Sequence, residues 1–543
     1  MRLSDKHRWF LGFTAVFAVM TAFVFWGAWS LDFTFVMPDA PTVPSPDWFS
    51  EFWRRWCTEG KFHPTNALFL LGSQYFWQEL FYAVADYCAA LAVFYFLRGR
   101  GLGRLASYGA GLFLAFCGYW FTLFSAGHGS WFFWMTYGLF PFGLLDRAIA
   151  KGKPKNWLLL GATLGWASQW QTDLWLLFTT LTGCYFVYRC LRERRFPWKG
   201  MLLAALSLFV IGGAGFYSAL ATDLKNRNAA IAEGATLSKE VQEKVDEREK
   251  RWIFVTNWSM PTEETLEFFI PRVNGDTSCP MTLSLGARYG TGVRPYTGAI
   301  GRPIDARAGN YRQHSLYVGW VTCLLALIGC VMGLVGTKRI ARADVLFFLC
   351  AAVVCWLCSM GRYCEPVYRV VFSLPFGDYL RAPVKWHHLT EFCLCVLAGF
   401  GIEALLGLVG RLGFLKGRAF LAPAIVGAFV FLGVVDLATH AKIFCSPVDL
   451  REAKRQNCNM QMTFLRRADF NNPQVAAMVQ AKRIVPLAQP NSEMYLVGVL
   501  DPWKKNTDPF PPLSTTAWLS ILSMIGTLGL AGYGAKRCWR NLP

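Results

Sequence analysis

The chain has 543 residues, 54% hydrophobic and 16% aromatic, with a formal net charge of +19 and a mean hydropathy of +0.30. Those values exclude a disordered chain and an ordinary water-soluble enzyme, and they describe a polytopic membrane protein. The basic excess suggests a nucleic-acid partner, but its confinement to short turns between apolar runs excludes that reading.

In chain order, apolar runs that meet the ~20-residue spanning criterion lie at about 9–30, 78–97, 104–125, 131–148, 156–172, 174–190, 201–221, 315–336, 343–360, 386–410, 419–437 and 516–535. About twelve transmembrane helices are therefore predicted, in an all-α polytopic fold. The fourth to sixth runs are short enough to be tilted or re-entrant. The first follows Arg2, Lys6 and Arg8 and is too long for a signal-peptide core, so it reads as an uncleaved anchor.

After the first run, residues 31–77 form a long loop. Ser45 is a good N-cap and Pro46 suits the first helical position, so a short helix is predicted from there to Trp56. Trp48, Phe49, Phe52, Trp53 and Trp56 recur at helical spacing and make an aromatic face suited to the membrane interface. Asp47 falls in the first turn, where the helix dipole favours an ionised carboxylate, and Glu51 follows four residues later on the same face. Two carboxylates are thus expected at headgroup depth.

Alternate turns carry the basic residues: the first eight residues, Arg98–Arg104, Arg147–Lys155, Arg189–Lys199, Lys338–Arg342, Arg411–Arg418 and Lys536–Arg540. Only Asp5, Asp146, Glu193 and Asp344 oppose them, and the rest of the chain is close to neutral. By the positive-inside rule both termini and these turns are cytoplasmic, while about 31–77, 126–130, 222–314, 361–385 and 438–515 are outside. The cytoplasmic turns hold no GxxxxGK[ST] phosphate loop, so the chemistry is expected outside. No internal repeat points to an inverted-repeat transporter.

Most of the 17 Cys lie in apolar runs and read as small core residues. Cys57, Cys279, Cys364, Cys445 and Cys458 fall outside, where Cys445 and Cys458 are one possible pair. In the loop 222–314, Thr236–Lys250 reads as a solvated helix of mixed charge. The text Trp258–Gly275 then sets polar residues among aromatics, ahead of a Gly-rich loop. The region 438–515 is polar with short β-branched runs and reads as a small outer subdomain. The expected organisation is 1–437 membrane domain, 438–515 outer subdomain, and 516–543 final helix and tail.

Several stretches resemble YfhO-like bacterial membrane proteins. They are Ala126-Gly127-His128-Gly129-Ser130, the Trp258–Gly275 text with its Glu-Glu-Thr-Leu and Ile-Pro-Arg, and Pro375–Pro383 followed by a helix through Ala398–Ile402. The loop from Asp47 to Gly72 fits less tightly, and the resemblance covers about residues 1–440. The chain departs from the family at Gln169–Asp173, where relatives often carry His, and it lacks their Asp after the Gly-His. The family looks like part of the GT-C superfamily of membrane glycosyltransferases. The resemblance implies a bacterial inner-membrane enzyme that moves a sugar from a polyprenyl-phosphate carrier to an envelope glycopolymer, lipid or protein on the outer face.

Inverting glycosyl transfer needs a base for the acceptor hydroxyl and positive charge for the departing phosphate. Asp47 is the candidate base, with Glu51 and His128 as further catalytic candidates; the plain alternatives are a first-turn helix charge and an interfacial His. Arg272, Arg381 and Lys385 are the candidate phosphate clamp, against ordinary snorkelling to headgroups. Glu263, Glu264 and Trp258 are candidates for sugar or acceptor binding, against a capping pair after Pro261. Gln171 and Asp173 read as helix caps. His387-His388 hints at metal, but adjacent residues point to different helix faces, so no metal ligand set is assigned and a divalent cation stays open. A lipid-linked sugar transporter or flippase, using Asp86, Glu391, Glu403 and Asp436 at mid-membrane, is the rival. A non-catalytic assembly factor is the third reading.

Overall fold

The computed structural model describes residues 5–26, 33–35, 53–54, 57–58, 74–125, 129–169, 172–218, 247–273, 315–336, 340–412, 420–445, 447–456, 458–491, 494–502 and 509–538. Each predicted apolar run is helical over most of its described length. The helices are α1 (Asp5–Val24), α2 (Gln74–Gly99), α3 (Arg104–Phe116), α4 (Gly118–Ser125), α5 (Gly129–Lys151), α6 (Pro154–Ala167), α7 (Thr172–Glu193) and α8 (Trp198–Ser218). After the short α9 (Glu247–Val255) come α10 (Trp320–Val335), α11 (Arg342–Ser359), α12 (Glu365–Ser373), α13 (His387–Val409) and α14 (Leu421–Ile443).

Six segments are long and apolar enough to cross a membrane among the described residues: His7–Val24, Asp173–Glu193, Trp198–Tyr217, Arg342–Ser359, Pro383–Val409 and Leu421–Ile443. Trp320–Val335 and Thr515–Gly526 are shorter apolar helices. The chain is a multi-pass helical membrane protein. One predicted span is broken, and one of the runs expected to be short falls below spanning length. The 104–125 run breaks at Cys117 into α3 and α4. The fifth becomes α6, 14 residues long, or roughly 21 Å at 1.5 Å per residue, short of a ~30 Å hydrocarbon core.

Where water supplies no hydrophobic force between helices, close approach of backbones does the packing. Gly329 on α10 and Gly401 on α13 show it reciprocally, since a methyl group on either would strike the other helix's backbone, at Leu397 and Leu325 respectively. α13 is the central element, packed by α10, α11 and α3 and buried along most of its length. That explains its weak helical amphipathicity in sequence: a helix covered on all sides is apolar all round.

Among the described residues, the basic turns after α2, α5 and α7 meet the start of α11 at one end of the bundle, the turn face, while 256–273 and 360–386 meet at the other, the loop face. At the turn face Arg100 reaches both Asp344 and Asp146, with Asp146 at 3.7 Å. Arg189 pairs with Asp146 and with Glu193 at 2.8 Å, and Arg192 meets Asp344 at 2.7 Å. Tyr185 donates to Asp146 at 2.9 Å and Tyr188 to Asp344 at 2.6 Å. Three of the four acidic residues in the basic turns therefore staple the ends of α2, α5, α7 and α11 together.

After α14 the chain forms β2 (Pro447–Asp449), α15 (Arg451–Arg455), β3 (Cys458–Arg466), α16 (Pro473–Gln480), β4 (Ile484–Asn491) and β5 (Met494–Pro502), before the last helix α17 (Thr515–Cys538). β3, β5 and β4 make an antiparallel sheet in that order. The β-branched runs at Ile484 and Tyr495–Val499 lie in its strands. α14 continues to Ile443, past the sequence boundary at 437. β2 pairs antiparallel with β1 (Phe33–Phe35), a strand from the first long loop. Cys445 lies buried two residues after α14 and Cys458 opens β3, and the two are not bonded to each other. Of the predicted solvated helix Thr236–Lys250 only Glu247–Lys250 is described, with no buried side chain among Arg248–Lys250, and α9 continues beyond it into the core. Trp252, Phe254 and Val255 are buried against Tyr368 and Phe372.

Candidate active site on the loop face

Two of the sequence stretches singled out above meet here, although about a hundred residues separate them. After α9 the chain turns through Trp258, crosses under α11 and enters a 3-10 helix, Thr262–Phe268. Pro261 starts that helix because its φ is preset and its missing N–H has no partner to lose. The amide of Met260 donates to Ser359 at 3.0 Å, and the Trp356 indole donates to Thr265 at 3.1 Å. The connection from α12 to α13 then runs back across the turn. The amide of Ala382 donates to Val255 at 3.0 Å and that of Val384 to Trp258 at 3.4 Å. Non-glycine residues with positive φ gather in these stretches: Trp258 (+57°), Arg272 (+60°), Phe376 (+65°) and Ala382 (+62°). Strain of this kind, about 1–3 kcal/mol each, persists only where surrounding contacts enforce it, and it concentrates at functional sites.

Arg381 lies between two rings, its guanidinium carbon 4.6 Å from the Phe254 centroid and 4.4 Å from that of Trp258. Both distances are within cation–π range, and a guanidinium is also a residue type whose forked N–H donors suit phosphate. Arg362, which the sequence reading did not single out, bonds to the carbonyls of Thr256 at 3.1 Å and Ile253 at 3.2 Å and to Asn257 at 3.0 Å. It closes the C-terminal end of α9, where helix carbonyls favour a cation. Tyr368 donates to the Leu380 carbonyl at 2.8 Å, and burial pushes its phenol above the usual range, so it remains a donor.

Lys385 is buried with its ammonium on Asp173, in the first turn of α7. Asp173 also accepts from the adjacent Leu174 amide at 2.9 Å, so its carboxylate is a buried counter-ion within the first turn of α7. A phosphate at Lys385 would have to compete with that carboxylate. One turn further on, Glu391 accepts from the amides of Tyr119 at 2.9 Å and Trp120 at 3.0 Å. This carboxylate supplies the cap that lets α4 start in mid-bundle, and it accounts for the break at Cys117. Gly118 is required at the break, because its amide donates to the Tyr317 carbonyl at 2.7 Å and a Cβ would lie 2.6 Å from that oxygen. His387 and His388, expected on different faces, both flank Glu391, at 3.7 and 4.0 Å, because they precede it by four and three residues. Among the described residues no three His, Cys, Asp or Glu side chains form a set able to hold a metal ion.

The predicted site residues thus divide. Trp258, Arg381 and Lys385 lie along this crossing. Glu264 is fully buried in the 3-10 helix and Glu263 is exposed beside it. Arg272 is half-exposed, within electrostatic reach of His440 at the loop-face end of α14. Asp47, Glu51, His128 and Gln171 lie outside the described residues. Of the other rival carboxylates, Glu403 accepts from the Gly103 amide at 2.7 Å at the start of α3 and Asp436 accepts from Tyr317 at 2.6 Å, whereas Asp86 is buried on α2 with an Oδ1 that makes no hydrogen bond among the described residues. Sequence could have marked Glu391 as a cap only if the break of the 104–125 run had been visible.

No family model matches the chain, and no curated protein matches it. Among solved structures it is similar to ArnT from Cupriavidus metallidurans bound to undecaprenyl phosphate, at 12% identity and a TM-score of 0.31, over 90% of this chain and 98% of that one. A TM-score this low assigns neither fold nor function.

Proposed function

We propose that the chain is a membrane glycosyltransferase of GT-C type. It would move a sugar from a polyprenyl-phosphate carrier to a cell-envelope acceptor at the outer face of a bacterial inner membrane. The observation that supports this reading most is the crossing of Val255–Trp258 and Arg381–Val384 into one unit that carries an arginine between two rings. These are two of the stretches that carry the family resemblance, and an arginine is a cation suited to phosphate, which supports the reading.

In the proposed step Asp47 takes the proton of the acceptor hydroxyl, with Glu51 or His128 tuning it. The hydroxyl oxygen forms its bond to the anomeric carbon from the face opposite the phosphate. The bond from that carbon to the phosphate oxygen breaks, and its electron pair leaves with the polyprenyl phosphate. Arg381 and Arg272 would hold the developing charge, with Lys385 behind them, and Trp258 with Glu263 and Glu264 would face the sugar or acceptor. A transporter would instead need intramembrane charges lining a path. Glu391, Glu403 and Asp436 are bonded to protein donors, which favours the transferase and leaves buried Asp86 as the one carboxylate of the four that the rival could still use. The test is sugar transfer from a polyprenyl-phosphate donor by protein in membranes, comparing wild type with Asp47→Asn at matched protein level. Transfer at the wild-type rate in the variant would refute the assignment of the base. Carrier movement across the bilayer without transfer would favour the rival, and neither activity would favour an assembly factor.

A further inference from the structure

The first long loop is tied to the segment that follows α14 at two separate places. β1 (Phe33–Phe35) pairs with β2 (Pro447–Asp449), in the register Phe33 with Asp449, Thr34 with Val448 and Phe35 with Pro447. The two strands leave neighbouring helices, for α1 packs on α14 and Lys442 donates to the Phe23 carbonyl at 2.8 Å. The second tie is at Trp53–Thr58. Arg54 donates to the Pro509 carbonyl at 2.8 Å and lies 4.8 Å from the Phe510 ring centroid. The Ser514 amide donates to the Cys57 carbonyl at 2.8 Å. The Cys57 side chain is buried against Trp53, Leu513, Ile521 and Met524.

From this pair of ties we propose that the segment 447–514 is a clamp on the first long loop, with Arg54 and the β1–β2 pair as its positioning contacts. In sequence the two ties bracket residues 36–52, which contain Asp47 and Glu51. The proposal rests on the reading of Asp47 as the base only for its catalytic consequence. Its physical content stands apart from that reading: fixing both ends of a loop removes most of the conformations that would carry its middle away from a fixed partner. A catalytic group displaced by even 1 Å loses rate steeply, so a clamp at both ends would act on turnover rather than on carrier affinity. Arg54 is suited to the task because one side chain supplies a charged donor to a carbonyl and a flat cation over a ring.

The test compares wild type, Arg54→Ala, Arg54→Lys and the double substitution Thr34→Cys with Val448→Cys, each as the full chain in lipid nanodiscs. The first readout is the rate at which an added protease cuts within 36–52. Arg54→Ala should raise it about tenfold or more, since cleavage follows the population of the released form. Arg54→Lys should fall between, because it keeps a cation and a donor. The oxidised cysteine pair should lower cleavage without stopping transfer. The second readout is transfer kinetics, where Arg54→Ala should lower kcat and leave the KM for the carrier unchanged. Cleavage unchanged in Arg54→Ala would overturn the clamp, and so would an oxidised pair that abolishes transfer. Faster cleavage with unchanged kcat would overturn its positioning role. Should Arg54→Ala fail to fold, the cysteine pair read under reducing and oxidising conditions decides alone. Wild-type protein without transfer would refute the function proposed above while the cleavage result still decided the clamp.

Discussion

Lys385 and Asp173 form an ion pair buried between the start of α13 and the first turn of α7. Removing one partner leaves the other charge without compensation, which costs about 3–5 kcal/mol in buried pairs. Asp173→Asn and Lys385→Met are therefore each expected to lower the thermal unfolding midpoint of the detergent-solubilised protein strongly. The double variant should recover a large part of the loss. Midpoints that simply add would show that the two charges do not depend on each other.

Glu391 caps a helix that begins inside the bundle, so its replacement is expected to follow acceptor capacity. Glu391→Gln keeps one carbonyl oxygen for the amides of Tyr119 and Trp120, whereas Glu391→Leu keeps none. The leucine variant should be less stable by about 1–3 kcal/mol per amide left unsatisfied, with the glutamine variant between it and wild type. Thermal unfolding followed by size-exclusion chromatography measures the order. Equal stability of the two variants would contradict the capping role.

Arg381 is predicted to be intolerant of lysine. Lysine keeps the charge but loses both the planar guanidinium beside Phe254 and Trp258 and the forked donor geometry. Arg381→Lys should weaken sugar transfer while the protein remains inserted and folded, and Trp258→Ala should act in the same direction. A fully active Arg381→Lys would remove this residue from the proposed clamp on phosphate.

Orientation is open to a direct check. With the native cysteines replaced, a single cysteine at Arg194, in the basic turn between α7 and α8, should react with a membrane-impermeant maleimide only after permeabilisation. A cysteine at the exposed Glu263 should react in intact cells. The opposite pattern would place the loop face inside and refute the outer active site.

The charge pattern of the turns, the positions of the apolar runs and the short strands after α14 were all legible in the chain, because each is a local property. An apolar run of adequate length forms a helix in lipid wherever it falls, and β-branched alternation reports a strand without knowledge of its partner. What the tertiary structure decided rests on pairs far apart in sequence. Nothing near Cys117 announces a break; it exists because Glu391, more than 270 residues later, caps the second half. Asp146 and Asp344 read as small exceptions to a positive turn, yet they are the anions on which Arg100, Arg189 and Arg192 converge. Lys385 read as a free cation for phosphate until folding placed Asp173 against it. Periodicity is set by backbone geometry along one segment, whereas the partner of a buried charge is set by which segments pack together, and that is decided only when the whole chain has folded.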